Sequence, residues 1–331
     1  RAMNTPEDIM GMSLTYMRIY FLGVIPSLIY NMGSGILRAV GDSKRPLYFL
    51  IASTLTNIVL DLFFVLVLRM GVAGVAIATS LSQVASAAMV MYALMKTDDM
   101  YRLYLREIRF SPSILSAIIR IGLPAGLQST MYSVSNLIIQ ASINSFGTDT
   151  IAAWTAYSKV DGMFWMIMSA YGVSITTFAG QNFGAGKYDR IRKSVRICMG
   201  MSAFTSVLLS VIVMAGGRIF LGLFTGDPGV VDIGMSIIHV IAPTYITYIC
   251  IEILGGTARG CGDSIIPMLL TCFGVCVLRV VWILVIVPLH RDLATVAFSY
   301  PLTWAVTSVM FIIYYLRGNW LKRNIPQGVE I

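Results

Sequence analysis

Apolar residues fall into nine long stretches, separated by short connections that are polar or marked by glycine and proline. An α-helix needs about 20 mainly apolar residues to cross a bilayer, and every stretch meets that length. Several stretches are longer, which predicts tilt, kinks or ends that project into water. The pattern therefore predicts an all-α polytopic membrane protein with nine transmembrane helices. The predicted spans are 9–38, 47–68, 72–95, 112–146, 151–180, 195–224, 229–258, 265–289 and 293–316.

Proline is expected to disturb four of these helices. Inside a helix it removes a backbone hydrogen bond, and its ring clashes with the preceding turn. Pro26, Pro124, Pro243 and Pro301 therefore predict kinks or local breaks.

The composition agrees with a membrane protein. The chain has 331 residues, of which 57% are hydrophobic and 12% are charged, whereas soluble domains have about 45–50% apolar and about 25% charged residues. This excludes an ordinary soluble enzyme, and it excludes intrinsic disorder, which requires low hydrophobicity. The five cysteines lie in or beside apolar stretches without metal-site spacing, so we interpret them as packing residues.

Lysine and arginine are concentrated in alternate connections, which sets orientation by the positive-inside rule. Sixteen of the 24 lysines and arginines lie in, or within two residues of, the connections 39–46, 96–111, 181–194 and 260–264 and the C-terminal tail 318–331. We expect them to face the cytoplasm, in the plasma or inner membrane of the cell. The net charge of +8 then reflects topology, and no nucleic-acid partner is expected.

One connection is longer than the others. The cytoplasmic or interfacial linker 96–111 opens a segment, 98–118, that mixes charges with Tyr, Leu and Ile at helical spacing. This spacing predicts an interfacial amphipathic helix that joins two halves of the protein. The alternative is a solvated linker.

An internal repeat relates the two halves. The motifs RAVGDSKRP (38–46) and RGCGDSIIP (259–267) share Arg, Gly, Asp, Ser and Pro in register. Each motif ends one apolar stretch and opens the next, so 1–95 is expected to repeat 223–317 as three helices in the same orientation. The block 112–222 has no such partner. A complete repeat would place about 110 further residues, with three helices, before Arg1. The alternative is a natural nine-helix protein.

At these motifs the sequence resembles the MATE family, the multidrug and toxic compound extrusion transporters. The resemblance rests on LRAVGDSKRP, NIVLDLFFV, GVAGVAIAT, IGLPAGLQS, FAGQNFGAGKYDRIRKS and GTARGCGDSIIP, which occur in family order. It implies a parallel two-bundle repeat of twelve helices, apparently without the first three. Residues 1–95 would then be the second half of the N-terminal bundle, and 112–317 the C-terminal six-helix bundle. It also implies secondary export of small organic, often cationic, compounds in exchange for Na⁺ or H⁺, with no other cofactor.

One departure from a branch of that family bears on ion binding. There, an acidic residue that binds the coupling cation follows the Gly-Leu-Pro proline by eight positions. Tyr132 occupies that place here, among uncharged polar residues that include Gln128 and Asn136. These three remain candidates for substrate binding, but the acidic ion ligand of that branch is absent at this position.

Ionisable residues inside spans are the other candidates, because charge at membrane depth is expensive and normally pairs or lines a water-filled space. For each of them, structural pairing between helices is the alternative. Equal predicted depth suggests that Asp161 pairs with Arg279. No cation matches the depth of Glu252, and Arg259 is expected to be too distant, so Glu252 is predicted to be an unpaired, proton-titrating site. The complete set is Asn57 and Asp61, four residues apart on one face, with Lys159, Asp161, Glu252 and Arg279.

The sequence also bears on other classes of function. GQNFGAGK (180–187) has the wrong spacing for a phosphate-binding loop and follows no strand, so no ATP is expected. A membrane enzyme would need paired carboxylates or metal ligands at one depth, and none is found. A flippase for lipid-linked oligosaccharides, from the related superfamily, and a non-functional truncated fragment remain open alternatives. The expected partners are small organic substrates and the lipid bilayer, with the protein as a monomer and its C-terminus in the cytoplasm.

Overall fold

The computed structural model describes residues 7–317 and 319–322. Within this part, nine helices are long and apolar enough to cross a membrane, which confirms the predicted polytopic all-α fold. A short helix, α10 (Asn319–Lys322), follows them. The nine are α1 (Glu7–Ala39), α2 (Lys44–Val67), α3 (Gly71–Lys96), α4 (Pro112–Asn144), α5 (Thr148–Gly184), α6 (Tyr188–Gly222), α7 (Pro228–Gly260), α8 (Ile265–Leu289) and α9 (Leu293–Leu316).

The chain forms two compact units, 1–110 and 111–331. In the first unit, α3 packs against both α1 and α2. Its small core contains Leu37, Val90 and Leu94, and the Ser53 hydroxyl donates to the Ser82 carbonyl at 2.6 Å. The second unit has the larger core, built mainly from α5 and α7.

Only one of the four prolines coincides with a break in α-helical geometry. Pro26, Pro124 and Pro301 lie within continuous helix, whereas Pro243 lies in a 3₁₀ segment, Ala242–Thr247, that interrupts α7. Pro243 lies in the first turn of this segment, where an N–H group would have no partner within the segment, so a proline is tolerated there. The break places Tyr245 and the residues after it on a locally different helical path.

Three π-helical segments were not predicted from the sequence. One is at the end of α2, and two are in α8. π segments are uncommon and concentrate at functional sites. Their bounds are Phe63–Val67, Cys272–Val277 and Trp282–Ile286.

The two repeated motifs fold in the same way. Gly41 and Gly262 have φ of +92° and +87°, a region that favours glycine. The amides of Asp42 and Asp263 each donate to the carbonyl five residues earlier, at 2.9 and 3.0 Å, which is the Schellman end of a helix. Each aspartate side chain then accepts from the amide three residues later, at 3.1 and 3.4 Å. The repeat detected in the sequence is therefore a repeat of backbone geometry.

The segment GQNFGAGK forms a turn between two helices. Gly186 has φ of +67°, and the Lys187 amide donates to the Asn182 carbonyl at 2.8 Å. This is again a Schellman-type helix end. Its glycines serve the sharp connection from α5 to α6.

The predicted interfacial helix over 98–118 is wrong. Between α3 and α4 the structure has turns and one 3₁₀ turn, Leu105–Glu107, before α4 begins at Pro112. The residue before a proline is disfavoured in helical geometry, and Ser111 is extended, with φ −114° and ψ 109°. Ile108 and Phe110 are exposed. The solvated linker, which was the alternative, describes this connection.

Candidate substrate cavity

The second unit contains an open cavity of about 620 Å³. Residues from α4, α5, α7, α8 and α9 line it, so it is assembled from distant parts of the chain. Its lining combines aromatic rings with three ionisable side chains. The lining residues are Tyr132, Asn136, Ile139, Gln140, Trp154, Tyr157, Ser158, Asp161, Trp165, Met168, Ser169, Tyr248, Glu252, Arg279 and Tyr300.

Aromatic rings pack behind and along one wall of the cavity. Phe164 stacks on Tyr245 with ring centroids 4.0 Å apart and planes 8° apart. Trp165 meets Tyr248 edge to face at 4.8 Å, and the fully buried Trp304 contacts both of these rings. Such interlocking rings have few alternative rotamers, so the wall is a preorganised surface.

Asp161 is fixed by two of these rings. It is 8% exposed, and it accepts hydrogen bonds from the Tyr245 hydroxyl at 2.7 Å and from the Trp165 indole N–H at 2.6 Å. Each carboxylate oxygen therefore has one aromatic donor. The arrangement satisfies a buried carboxylate without a direct cation.

The predicted ion pair between Asp161 and Arg279 is wrong. The two side chains line the same cavity, but no nitrogen of Arg279 lies within 4.0 Å of a carboxylate oxygen of Asp161, so they form no ion pair. Arg279 is 2% exposed. It donates to the Thr303 hydroxyl at 2.8 Å and lies 4.0 Å from the centroid of the Tyr300 ring. Equal depth brought both charges to one cavity, but aromatic and hydroxyl partners hold each of them separately.

The prediction that Glu252 lacks a cation is also wrong. Its Oε1 lies 3.8 Å from Nη2 of Arg259, and its Oε2 accepts from the Tyr248 hydroxyl at 3.0 Å. Residues seven apart are separated by about 10 Å along a helix but lie near the same face. Helical side chains lean toward the N-terminus, and the long arginine spans the gap in that direction.

Close packing of α5 on α7 brings Glu252 to this position. Its carboxyl group occupies the space into which a side chain at Gly172 would project. One helical turn further along, the Thr176 hydroxyl donates to the Gly256 carbonyl at 3.0 Å, and Gly260 packs directly on the α5 backbone. Gly172, Gly256 and Gly260 therefore let α5 and α7 pack closely, as small residues do between transmembrane helices.

The other predicted site residues lie in three different places. Tyr132 and Asn136 line the cavity, whereas Gln128 is outside its lining and Lys159 is an exposed residue of α5. Asn57 and Asp61 belong to the first unit. There, Nδ2 of Asn57 and Oδ1 of Asp61 are buried without a hydrogen-bond partner.

Most of the aromatic lining was not predicted residue by residue. Trp154, Tyr157, Tyr248 and Tyr300 come from three helices, so no local motif joins them. The available signal was the abundance of aromatic residues near the charges within spans, which indicates a cavity wall but does not select its members.

Three buried polar atoms of the lining residues have no hydrogen-bond partner: the hydroxyls of Tyr132 and Tyr157 and Nε of Arg279. Buried polar groups are normally satisfied, so such a cluster calls for a ligand or water. The cavity therefore offers hydroxyl and guanidinium donors to a bound molecule, in addition to aromatic faces and carboxylates.

Known proteins are similar to this chain in sequence and in fold. YoeA and YpnP of Bacillus subtilis, both named probable multidrug resistance proteins, are 26% and 29% identical to the chain. The alignments cover 100% and 84% of the chain, but 73% of YoeA and 62% of YpnP. A solved MOP superfamily transporter from Pyrococcus furiosus matches the fold with a TM-score of 0.91, at 22% identity, over 97% of this chain and 73% of that one.

The sequence model of the MatE family matches residues 1–63 and 124–285. These segments include the first repeated motif, most of the cavity lining and the second motif. The solved neighbours include MATE transporters, one of which matches with a TM-score of 0.88 over 98% of the chain. The resemblance drawn from the sequence motifs is thereby confirmed: the chain belongs to the MatE family of multi-pass membrane transporters.

Proposed function

We propose that this chain belongs to a secondary exporter that moves small organic, often cationic, compounds across the cell membrane in exchange for Na⁺ or H⁺. The names of its relatives as multidrug resistance and export proteins support this proposal. The C-terminal tail lies on the cytoplasmic side in this proposal, in accordance with the positive-inside rule.

The aromatic and acidic cavity of the second unit carries the proposal. Its volume of about 620 Å³ falls in the range of roughly 300–1,000 Å³ that is typical of small-molecule sites. Aromatic faces attract organic cations by their ring quadrupole, and more strongly where water is excluded. Asp161 and Glu252 add negative charge to the same surface. Arg279 and the unsatisfied hydroxyls give acceptor groups of a substrate a place to bind.

Glu252 is the coupling carboxylate in this proposal. Its bond to Arg259 is at the long end for an ion pair, at 3.8 Å, and both side chains are about one-fifth exposed. A proton, a Na⁺ ion or a substrate cation that reached Glu252 would replace Arg259 as its partner. Such exclusive occupancy of one carboxylate is what an exchanger requires, since the two cations then cannot be carried together.

Expression of the intact gene in a host without its own efflux pumps is expected to lower the accumulation of a cationic dye such as ethidium. Asp161→Asn removes charge from the cavity and should raise dye accumulation toward that of cells without the gene. Lys159→Gln is the matched control, because Lys159 lies two residues away on α5 but is exposed and outside the lining. Cellular fluorescence measures accumulation, and immunoblotting measures expression. Unchanged accumulation of every dye and toxin by well-expressed protein would contradict the exporter proposal.

A further inference from the structure

The second unit contains another cavity, of about 660 Å³, beside the basic start of α6 and the end of α9. We call it the α6–α9 groove. It lies between α6, the end of α9 and the short helix α10, and Leu254 of α7 also lines it. Two arginines, Arg192 and Arg196, stand on its α6 side, and the rest of its lining is apolar or aromatic.

The arginines give the groove an unbalanced positive charge. They are four residues apart and so share one face of α6. Arg192 is 4.0 Å from Asp189, whose side chain is fully exposed, so this contact is weak and screened. Arg196 has no ion pair among the residues that the structure describes. The described lining contains no acidic side chain. Within the described part of the chain, the two guanidinium groups thus face the groove without an anion that neutralises them.

The rest of the groove is suited to hydrocarbon. Val195 and Met199 extend the arginine face deeper along α6. Ile312 and Leu316 of α9 form the other wall and are exposed, Leu316 by 76%. Charge at one end and an apolar wall running inward from it match an amphiphile, with its head at the arginines and its chain beside α6 and α9.

Helix α10 makes the groove a defined structure. Trp320 stacks on Tyr315 with centroids 5.2 Å apart and planes 17° apart, and its indole N–H donates to the Tyr315 carbonyl at 3.1 Å. Trp320 and Leu321 are each 3% exposed. Tryptophan and tyrosine are preferred at the level of lipid headgroups, which places the arginine end where a lipid phosphate would be.

We propose that the α6–α9 groove binds one anionic phospholipid, with the phosphate on Arg192 and Arg196 and an acyl chain along Met199, Ile312 and Leu316. Guanidinium groups bind phosphate through paired, charge-assisted hydrogen bonds, and basic pockets between transmembrane helices bind anionic headgroups. A free phosphate would leave the apolar wall exposed to water. A zwitterionic lipid such as phosphatidylcholine brings its own cation, which competes with the two guanidinium groups for the phosphate. The bound lipid would link α6 to α9 and α10.

The proposal is tested with the purified 331-residue chain in detergent. Binding of phosphatidylglycerol, phosphatidylcholine and the deacylated headgroup glycerophosphoglycerol is measured by native mass spectrometry and by the shift in thermal unfolding. We expect phosphatidylglycerol to bind and stabilise the chain, and phosphatidylcholine and glycerophosphoglycerol to do so much less. Each basic residue contributes about 1 kcal/mol to anionic lipid binding. The double variant R192Q/R196Q should therefore weaken the binding of phosphatidylglycerol roughly 30-fold.

The double variant R190Q/K193Q is the matched control. It removes the same charge from the same turns of α6, but neither residue lines the groove, so binding should change less than about threefold. Met199→Trp fills the apolar part and should also displace the lipid. Equal losses in both double variants would overturn the proposal in favour of diffuse surface attraction. If glycerophosphoglycerol bound as well as phosphatidylglycerol, the proposal would be overturned in favour of a phosphate site. If Met199→Trp bound phosphatidylglycerol fully, the acyl chain would not enter the groove.

Discussion

Gly260→Val is expected to prevent normal folding of the second unit. A Cβ at residue 260 would collide with the backbone carbonyl of Thr176 and would lie 3.0 Å from Cβ of Ala179 and 3.1 Å from the Gly180 amide nitrogen. Two of these three contacts are with backbone, which cannot rotate away as a side chain can. Overpacking of this kind typically destabilises by about 1–3 kcal/mol, and the backbone contacts place Gly260→Val at or above the upper end of that range.

Size-exclusion chromatography of detergent-extracted protein, followed by thermal unfolding, measures the effect of Gly260→Val. Little monodisperse protein should be recovered, and what is recovered should unfold at a clearly lower temperature. Gly200→Val is the control, since Gly200 lies in α6 with no atom within 4 Å of the added Cβ. It introduces the same branched side chain into a long helix. Equal unfolding temperatures for the two variants would show that the contact of α5 with α7 is not as tight as described.

Glu252→Gln is expected to abolish ion-coupled export by the intact protein and to preserve its fold. The amide keeps the shape of the side chain and an oxygen that accepts from Tyr248, which lies 3.0 Å from Glu252. It removes the negative charge that binds Arg259 and, in our proposal, the coupling cation. Without that charge, the proton or Na⁺ and the substrate no longer compete for one group, so the gradient cannot drive exchange.

Proteoliposomes with an imposed pH or Na⁺ gradient measure coupled export by Glu252→Gln. Uptake of the dye should fall to the level of empty vesicles under both gradients, while substrate binding, followed through the fluorescence of Trp165 and Trp154, should weaken less. Glu107→Gln is the control, because Glu107 is an exposed carboxylate of the connection between α3 and α4. Normal gradient-driven export by Glu252→Gln would eliminate Glu252 as the coupling site.

The sequence predicted the nine spans because long apolar runs have no other stable place for their backbone than a helix. The repeated motif around Gly41 and Gly262 was found in the sequence because the end of a helix has a local chemical signature. The prediction failed for the connection between α3 and α4, where periodic apolar residues favoured a helix. Pro112 disfavours helical geometry at Ser111, so no helix continues through that point. Local patterns were therefore reliable for the spans and the helix ends, but neither short periodicity nor a single proline predicted where a helix is interrupted.

The partners of the charged residues were predicted less well, for a geometric reason. Position along a span gives the depth of a side chain, but it does not give the direction in which the side chain points. Asp161 and Arg279 share a cavity, as depth suggested, yet aromatic and hydroxyl groups hold them. Glu252 was assigned no partner because the axial distance to Arg259 was treated as the distance between charges, although a long side chain on the same face crosses it.

The π segments change which residues of the two repeats correspond. A π turn contains about one residue more than an α turn, so side chains beyond it are rotated by roughly 100°. The offset that aligns Gly41 with Gly262 pairs Arg279 with Ile58. However, Arg279 follows the π segment Cys272–Val277, whereas α2 has its π segment only later. Once that extra residue is counted, the position in α2 that faces as Arg279 does is Asn57, so a comparison of the two halves needs a one-residue gap inside a helix.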